Sequence, residues 1–184
     1  MTLREIERQS IHSFIERAGA DGYITGRVLD YGCGKQPYRS LVESYGAKYV
    51  GFDHPDLPAS VAVEPLNARP PIVKNLVDDA YLPDVGGTPL FDVVLCTQVL
   101  QYVPDVPDKL SGFRALMHDQ GHLVLTYPTH WPEVEPEDLW RFTKAGMERL
   151  LIKAGFEIVR HERRHEMVNR DGTWAIGYGV IARA

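Results

Sequence analysis

Apolar residues recur every three or four positions in several segments of the chain, which is the spacing of one face of an α-helix. The longest such segment covers residues 3–18 and is followed by Gly19, a residue type common at helix C-termini. Its apolar positions are Ile11, Phe14, Ile15 and Ala18. The pattern predicts an amphipathic helix within residues 1–20 that flanks the rest of the domain.

Later segments repeat this spacing and predict further helices. One stops at Gly46. Another has Asp105 as its expected N-cap and is closed by residues 119–121, and a third has Thr143 as its expected N-cap. Their apolar faces consist, in chain order, of Leu41, Val42 and Tyr45, then Leu110, Phe113 and Met117, then Met147, Leu150, Leu151 and Ala154.

Short apolar runs between these helices predict strands. The predicted strands cover residues 27–31, 49–52, 91–96, 122–127, 156–160 and 174–182, with 72–77 as a weaker candidate. Strands that alternate with helices are typical of a Rossmann-like, doubly wound α/β fold. We therefore expect a mainly parallel seven-stranded sheet with an antiparallel last strand and helices on both faces. Ligands of such folds bind beyond the carboxyl ends of the strands.

Length and composition narrow the class of protein. The chain has 184 residues, of which 44% are hydrophobic and 24% charged, as expected for a single globular domain covering residues 1–184. It has no uncharged apolar run near the roughly 18 residues that a membrane span requires. Charged residues at its start, where a secretory signal would need an apolar core, favour a cytoplasmic location. We expect a monomer or a homodimer.

Charge and cysteine content narrow the class of protein further. The formal net charge of -5 disfavours a nucleic-acid partner, because such proteins rely on a basic face. The only cysteines, Cys33 and Cys96, are too few for a disulfide framework and lack metal-ligand spacing. We therefore predict two reduced thiols and no metal site.

A glycine turn follows the first predicted strand. The sequence from Asp30 to Gly34 places an acid at the end of the strand and glycines at both sides of Cys33. Glycines let the backbone approach a ligand where the next helix begins. The segment resembles motif I of the class I S-adenosylmethionine-dependent methyltransferases. The resemblance implies that Gly32, Cys33 and Gly34 cradle the methionine part of the cofactor and that Asp30 helps to hold its ammonium group. A structural turn in another α/β protein is the alternative.

Further matches to the same family lie at compatible spacing. Asp53 ends the second predicted strand, where the family's acid binds the ribose hydroxyls. The sequence 78–83 resembles the acidic loop that faces the adenine, with Asp79 and the backbone of Ala80 in that role, although Asp78 leaves the register open. By the same resemblance, the residues expected beside the methyl group are Thr97 and Gln98.

The segment 128–142 resembles that of the type-11 branch of these methyltransferases and is expected to form a lid over the acceptor. The expected substrate-binding residues in this segment are His130, Trp131, Trp140 and Arg141, although a salt bridge to Asp138 also explains Arg141. The candidate general bases are His130, Tyr102 and Tyr127. Related sequences often carry a histidine where Tyr102 stands. The resemblance implies direct methyl transfer to a small molecule, for example a sugar or a natural-product intermediate.

Two other functions share parts of this sequence pattern. A nicotinamide-dependent oxidoreductase would need a third glycine in its dinucleotide-binding motif, where this chain has Pro37. A non-catalytic or regulatory protein that binds S-adenosylmethionine would keep the same cofactor residues. The cofactor residues alone do not distinguish an enzyme from such a binding protein.

Overall fold

The computed structural model describes residues 2–53, 91–132, 138–169 and 172–184. Within these ranges, the helices and strands follow the order that the sequence predicts. The α-helices are α1 (Leu3–Ala20), α2 (Arg39–Ser44), α3 (Val106–Ala115) and α4 (Lys144–Lys153), and a short 3₁₀ helix covers Leu100–Tyr102. The strands are β1 (Arg27–Tyr31), β2 (Lys48–Phe52), β3 (Phe91–Thr97), β4 (Met117–Pro128), β5 (Glu157–Asn169) and β6 (Gly172–Arg183).

One sheet joins these strands in the order β2-β1-β3-β4-β6-β5. The first four are parallel neighbours, and β6 runs antiparallel to both β4 and β5. The prediction of a mainly parallel sheet with an antiparallel last strand is thus confirmed. The sheet has six strands among the described residues, and the candidate strand 72–77 lies outside them.

Apolar side chains cover both faces of the sheet. On one face, α1 and α2 pack against alternate residues of the central strands, including Val28 and Val93. On the other face, α3 and α4 pack against the intervening residues, including Leu29 and Val94. Successive strand residues point to opposite faces, so a near-continuous apolar run fits strands that are covered twice.

Helix α1 has a defined start and a close contact with the sheet. Thr2 and Glu5 form a capping box at its N-terminus, and its predicted apolar face is buried. Phe14 approaches β6 so closely that a Cβ on Gly179 would lie 2.6 Å from its ring. This packing fixes α1 against the sheet, next to the carboxyl ends of the parallel strands.

The ends of some elements differ from the prediction. Asp105 and Thr143 accept hydrogen bonds from the first turns of α3 and α4, as expected of N-caps. Helix α3, however, ends at Ala115 and not at residues 119–121, because Met117 already pairs with Phe91 of β3. Strands β5 and β6 extend beyond the predicted 156–160 and 174–182, since they pair with each other along their length. No α-helix in the described ranges is both long and apolar enough to cross a membrane.

Candidate active site

A glycine turn connects β1 to the segment that leads into α2. The backbone N–H groups of Gly32 and Cys33 donate to the carbonyl of Phe52 at the end of β2, at 2.8 and 3.1 Å. Gly32 has a φ of 78°, and a Cβ on it would lie 2.2 Å from the side chain of Val99. Only glycine therefore fits this position without displacement of its neighbours.

Asp53 lies directly beside this turn. It follows β2, and its carboxylate accepts a hydrogen bond from the backbone N–H of Gly34. The parallel pairing of β1 with β2 causes this juxtaposition, because it aligns the carboxyl ends of both strands. Two residues that are 19 positions apart in sequence thus form one site, as the resemblance implies.

Asp30, the last but one residue of β1, lies beneath the turn and is fully buried. One carboxylate oxygen accepts a hydrogen bond from the hydroxyl of Tyr49, and the other has no hydrogen-bond partner among the described residues. Burial raises the pKa of Asp30 to about 7, although the Tyr49 hydrogen bond acts in the opposite direction. A cationic group that reached the second oxygen would satisfy it and favour the ionised form.

A cavity of about 710 Å³ opens above the turn, where the order of the strands reverses between β1 and β3. This point is the usual ligand site of a doubly wound sheet. Its lining combines the glycine turn, the end of β3 and one side of α1, namely Glu7, Arg8, Ile11, Gly32, Cys33, Gly34, Lys35, Pro37, Tyr38, Thr97 and Gln98. We call it the first cavity. The structure thus brings together Gly32, Cys33 and Gly34 with Thr97 and Gln98.

A second cavity of about 330 Å³ adjoins the first. Its lining consists of Arg4, Glu7, Arg8, Gln98, Gln101, Tyr102, Pro128, Trp131, Asp138 and Arg141. Glu7, Arg8 and Gln98 line both cavities. The described ends of the segment 128–142 contribute to this lining, while residues 133–137 lie outside the described residues. The two cavities therefore meet at α1 and the residue that follows β3.

Gln98 has a left-handed backbone, with a φ of 55°. Non-glycine residues adopt this region infrequently, and strain of this kind is held in place only by surrounding contacts. Its backbone N–H donates to the carbonyl of Thr126 at 3.1 Å, which fixes the turn after β3. The strained backbone directs Gln98 toward the boundary of the two cavities.

Some predicted acceptor residues line the second cavity and others do not. Tyr102, Trp131 and Arg141 line it, and Arg141 is held by both carboxylate oxygens of Asp138. Trp140 is 44% exposed, lines neither cavity and donates its indole N–H to the carbonyl of Val103 at 2.8 Å. Asp79 and Ala80 lie outside the described residues.

The other candidate bases lie apart from both cavities. His130 is exposed, and its Nδ1 lies 3.1 Å from the carbonyl oxygen of Ala175. Tyr127 is fully buried on the α4 side of the sheet, where its hydroxyl lies 2.8 Å from Nε2 of His161. Its position follows from strand alternation, because Tyr127 and Thr126 must point to opposite faces. Of the three candidate bases, Tyr102 alone lines a cavity described here.

Sequence reasoning missed the contribution of α1 to this site. Arg4, Glu7 and Arg8 continue the face of Ile11 at helical spacing, since positions 4, 7, 8 and 11 stand at i, i+3, i+4 and i+7. That signal was present in the sequence. The partner of this face was not visible there, because Arg164 of β5 lies more than 150 positions away and reaches Ser10 of α1.

These features match the expected protein class. A mainly parallel α/β sheet, a glycine turn after β1, a buried acid on β1 and an acid after β2 are the arrangement that the resemblance to class I S-adenosylmethionine-dependent methyltransferases implies. The unpartnered oxygen of Asp30 would suit an ammonium group, and the first cavity lies above the glycine turn that follows Asp30. The chain matches the family model described as a methyltransferase domain over residues 3–161, and it belongs to that family.

Relatives and solved structures agree with this assignment. The ubiquinone biosynthesis O-methyltransferase of Vibrio campbellii is 28% identical over 127 residues, which cover 67% of this chain and 52% of that protein. The chain therefore spans about half the length of that relative. A methyltransferase from Archaeoglobus fulgidus has a TM-score of 0.73 at 18% identity, covering 96% of this chain and 94% of the other.

A third similar protein has been solved with bound ligands. The 1,6-didemethyltoxoflavin-N1-methyltransferase of Burkholderia thailandensis contains 1,6-didemethyltoxoflavin and S-adenosylhomocysteine. Its structure matches this chain with a TM-score of 0.66 at 17% identity, and the match covers 95% of this chain and 77% of the Burkholderia thailandensis protein. The family match confirms the predicted methyltransferase class, and the solved structures confirm the predicted fold.

The role of Asp53 gives a direct test of the cofactor site. We expect Asp53→Ala to weaken the binding of S-adenosylmethionine about 10- to 100-fold, because hydrogen bonds to a charged group contribute roughly 1.5–3 kcal/mol each. The net loss is smaller than two such bonds, since water solvates the freed ribose hydroxyls. Asp53→Asn is expected to weaken cofactor binding less than Asp53→Ala does. Its amide oxygen can still accept one hydrogen bond from the ribose, and it also keeps the hydrogen bond from the Gly34 N–H.

Calorimetric titration of both variants measures this effect, and thermal melting serves as the control. Loss of the Gly34 hydrogen bond lowers the free energy of unfolding of Asp53→Ala by about 1.5–3 kcal/mol. This loss is smaller than the roughly 5–15 kcal/mol by which a domain is stable, so we expect the alanine variant to remain folded, and the asparagine variant keeps the bond. An alanine variant that binds the cofactor as tightly as the parent would show that the ribose lies elsewhere.

Proposed function

We propose that this chain transfers the methyl group of S-adenosylmethionine to a hydroxyl group of a small polar molecule bound in the second cavity. The observation that carries this proposal is the junction of the two cavities at Glu7, Arg8 and Gln98. A donor in the first cavity and an acceptor in the second would meet there. Direct transfer requires such contact, because the acceptor atom must align with the methyl group. The acceptor oxygen gains the methyl group and loses its hydroxyl proton to water, and S-adenosylhomocysteine is released.

The dimensions and lining of the second cavity favour a small acceptor. Its volume of about 330 Å³ lies at the low end of the range of roughly 300–1,000 Å³ for small-molecule pockets. Its walls carry guanidinium, carboxamide and hydroxyl groups beside the ring of Trp131. A compact molecule with polar substituents and one flat face fits this chemistry. The name of the Vibrio campbellii relative supports a hydroxyl acceptor.

The cofactor supplies an activated methyl group on a positively charged sulfur, so the site needs no arrangement for a developing buried anion. Its residues have to hold, align and desolvate the two reactants. Burial raises the pKa of Tyr102, which keeps its phenol protonated in the neutral range. Tyr102 is therefore suited to donate a hydrogen bond to the acceptor and to orient it, rather than to act as a phenolate base.

A methyl-transfer assay with matched tryptophan variants tests this proposal. The protein is incubated with S-adenosylmethionine and a panel of phenols, catechols, sugars and hydroxy acids, and the products are detected by mass spectrometry. For an acceptor found in this way, we expect Trp131→Ala to raise the KM of the acceptor at least tenfold, because Trp131 lines the second cavity. The affinity for S-adenosylmethionine should stay within about twofold, since Trp131 does not line the first.

Trp140→Ala is the matched control, because Trp140 lies in the same segment but lines neither cavity. Its effect on the acceptor KM is expected to be smaller than that of Trp131→Ala. Equal effects of the two variants would argue against acceptor binding in the second cavity. Methylation of a nucleic acid or a protein, with every small molecule refused, would contradict the proposed acceptor class.

A further inference from the structure

We infer that Glu7 of α1 is the charge partner of the cofactor's sulfonium, through which the chain distinguishes S-adenosylmethionine from its uncharged thioether product. This inference rests on the proposed function, because it requires the donor in the first cavity and the acceptor in the second. It assigns to α1 a selective role in ligand binding, in addition to its packing on the sheet.

The position of Glu7 follows from the junction of the cavities. The transferred methyl group has to lie where the first cavity meets the second, and the charged sulfur is one bond away from it. Of the residues that line both cavities, Glu7 is the acidic one. It is also the single carboxylate among the described residues that line the first cavity. A carboxylate at this boundary is placed to attract the positive charge of the donor.

Buried contacts hold Glu7 at this boundary. Arg164 of β5 is 1% exposed, and it donates to the hydroxyl of Ser10 and to the carbonyl of Tyr178. With the Gln98 amide oriented so that its oxygen accepts from Arg164 at 2.7 Å, its nitrogen donates to Glu7 at 3.3 Å. Glu7 is therefore restrained by the same residue that follows β3 and lines both cavities.

The surroundings of Glu7 are rich in positive charge. The guanidinium groups that interact with its carboxylate belong to Arg164, Arg8, Arg141 and Arg4. Burial raises the pKa of Glu7, and these four groups act in the opposite direction. Without the negative charge of Glu7, a sulfonium at the boundary would face several guanidinium groups, and the carboxylate of Asp138 would balance only part of their positive charge. Glu7 thus determines whether the boundary attracts or repels a cation.

Two ligands of nearly identical shape isolate this effect. S-adenosylmethionine and S-adenosylhomocysteine share the adenosine, the ammonium and the carboxylate, and they differ in the methyl group and the charge on sulfur. A residue that merely supports the fold would affect both ligands alike. A residue that faces the sulfonium charge would affect the first ligand and spare the second.

The experiment is a calorimetric titration of the full chain at pH 8 with each ligand separately. For Glu7→Gln we expect the affinity for S-adenosylmethionine to fall about tenfold or more, and the affinity for S-adenosylhomocysteine to change less than about threefold. Retained binding of the product shows that the variant is folded. Glu16→Gln is the matched control, because Glu16 is an exposed residue of α1 that lines neither cavity. It should leave both affinities unchanged.

The outcomes separate this inference from the proposed function. Equal losses for both ligands, or no loss for either, in Glu7→Gln would overturn the role of Glu7 while the cofactor assignment of the first cavity stands. Failure of the parent chain to bind either ligand would overturn that assignment itself. Unchanged binding combined with lost methyl transfer would place Glu7 on the acceptor and not on the sulfonium.

Discussion

Replacement of Asp30 by asparagine is expected to change how the stability of the protein depends on pH. In the native protein, burial raises the pKa of Asp30 from 3.8 to about 7. The carboxyl group therefore holds its proton in the native state over a range where the unfolded chain has already lost it. Its stabilising contribution is fully present below about pH 4 and is lost as the pH rises to about 7.

The Asp30→Asn variant lacks this titration. A rise of the pKa from 3.8 to about 7 corresponds to about 4 kcal/mol, so the parent should lose about that much stability between pH 4 and pH 8, and the variant should not. Urea unfolding at a series of pH values measures the difference between the two proteins. Parallel stability curves for parent and variant would show that Asp30 is ionised in the native state throughout.

Cofactor binding gives an independent readout of the same group. An ammonium group that contacts the unpartnered oxygen of Asp30 favours the carboxylate and lowers its pKa. Binding near pH 7 should then release a proton, so the apparent binding enthalpy should differ between buffers with different ionisation enthalpies. The buffer dependence that Asp30 causes should disappear in the asparagine variant, and its affinity for S-adenosylmethionine should be lower.

The arrangement proposed to bind the cofactor could be predicted from the sequence because its signals are local. An acid, two glycines and a helix start lie within a few residues of each other, and Asp53 follows a strand that must pair in parallel with the first. Strand alternation and helical spacing then place these groups at one edge of the sheet. The structure adds the hydrogen bond between Asp53 and the turn, which no sequence pattern indicates.

The acceptor half was less accessible because it depends on contacts between distant segments. His130 and Tyr127 were selected for their chemistry, yet the backbone directs one toward Ala175 and the other into the core. Glu7 is one of several charged residues at the start of the chain, and nothing in the sequence distinguishes it from the others. Its role becomes visible only when α1 is seated beside the end of β3, and this seating depends on Arg164.

Gly32→Ala is expected to produce a large loss of stability. A left-handed backbone costs an alanine roughly 1–2 kcal/mol, and Gly32 has a φ of 78°. In addition, the new Cβ would lie 2.2 Å from Cγ2 of Val99, a buried side chain of the core. Overpacking of this kind costs roughly 1–3 kcal/mol. We therefore expect the free energy of unfolding to fall by about 2–5 kcal/mol, with at least a tenfold loss of cofactor affinity.

Gly46→Ala separates the two causes. Gly46 has a φ of 76°, nearly that of Gly32, but a Cβ on it would meet no atom within 4 Å. It should therefore show only the backbone cost of roughly 1–2 kcal/mol, and it should bind the cofactor normally. In the Gly32→Ala background, Val99→Ala removes the colliding methyl groups and should cost less than it does in the parent chain. If Gly32→Ala proved no worse than Gly46→Ala in urea unfolding, and Val99→Ala had the same cost in both backgrounds, contact with Val99 would not be the reason that the turn requires glycine.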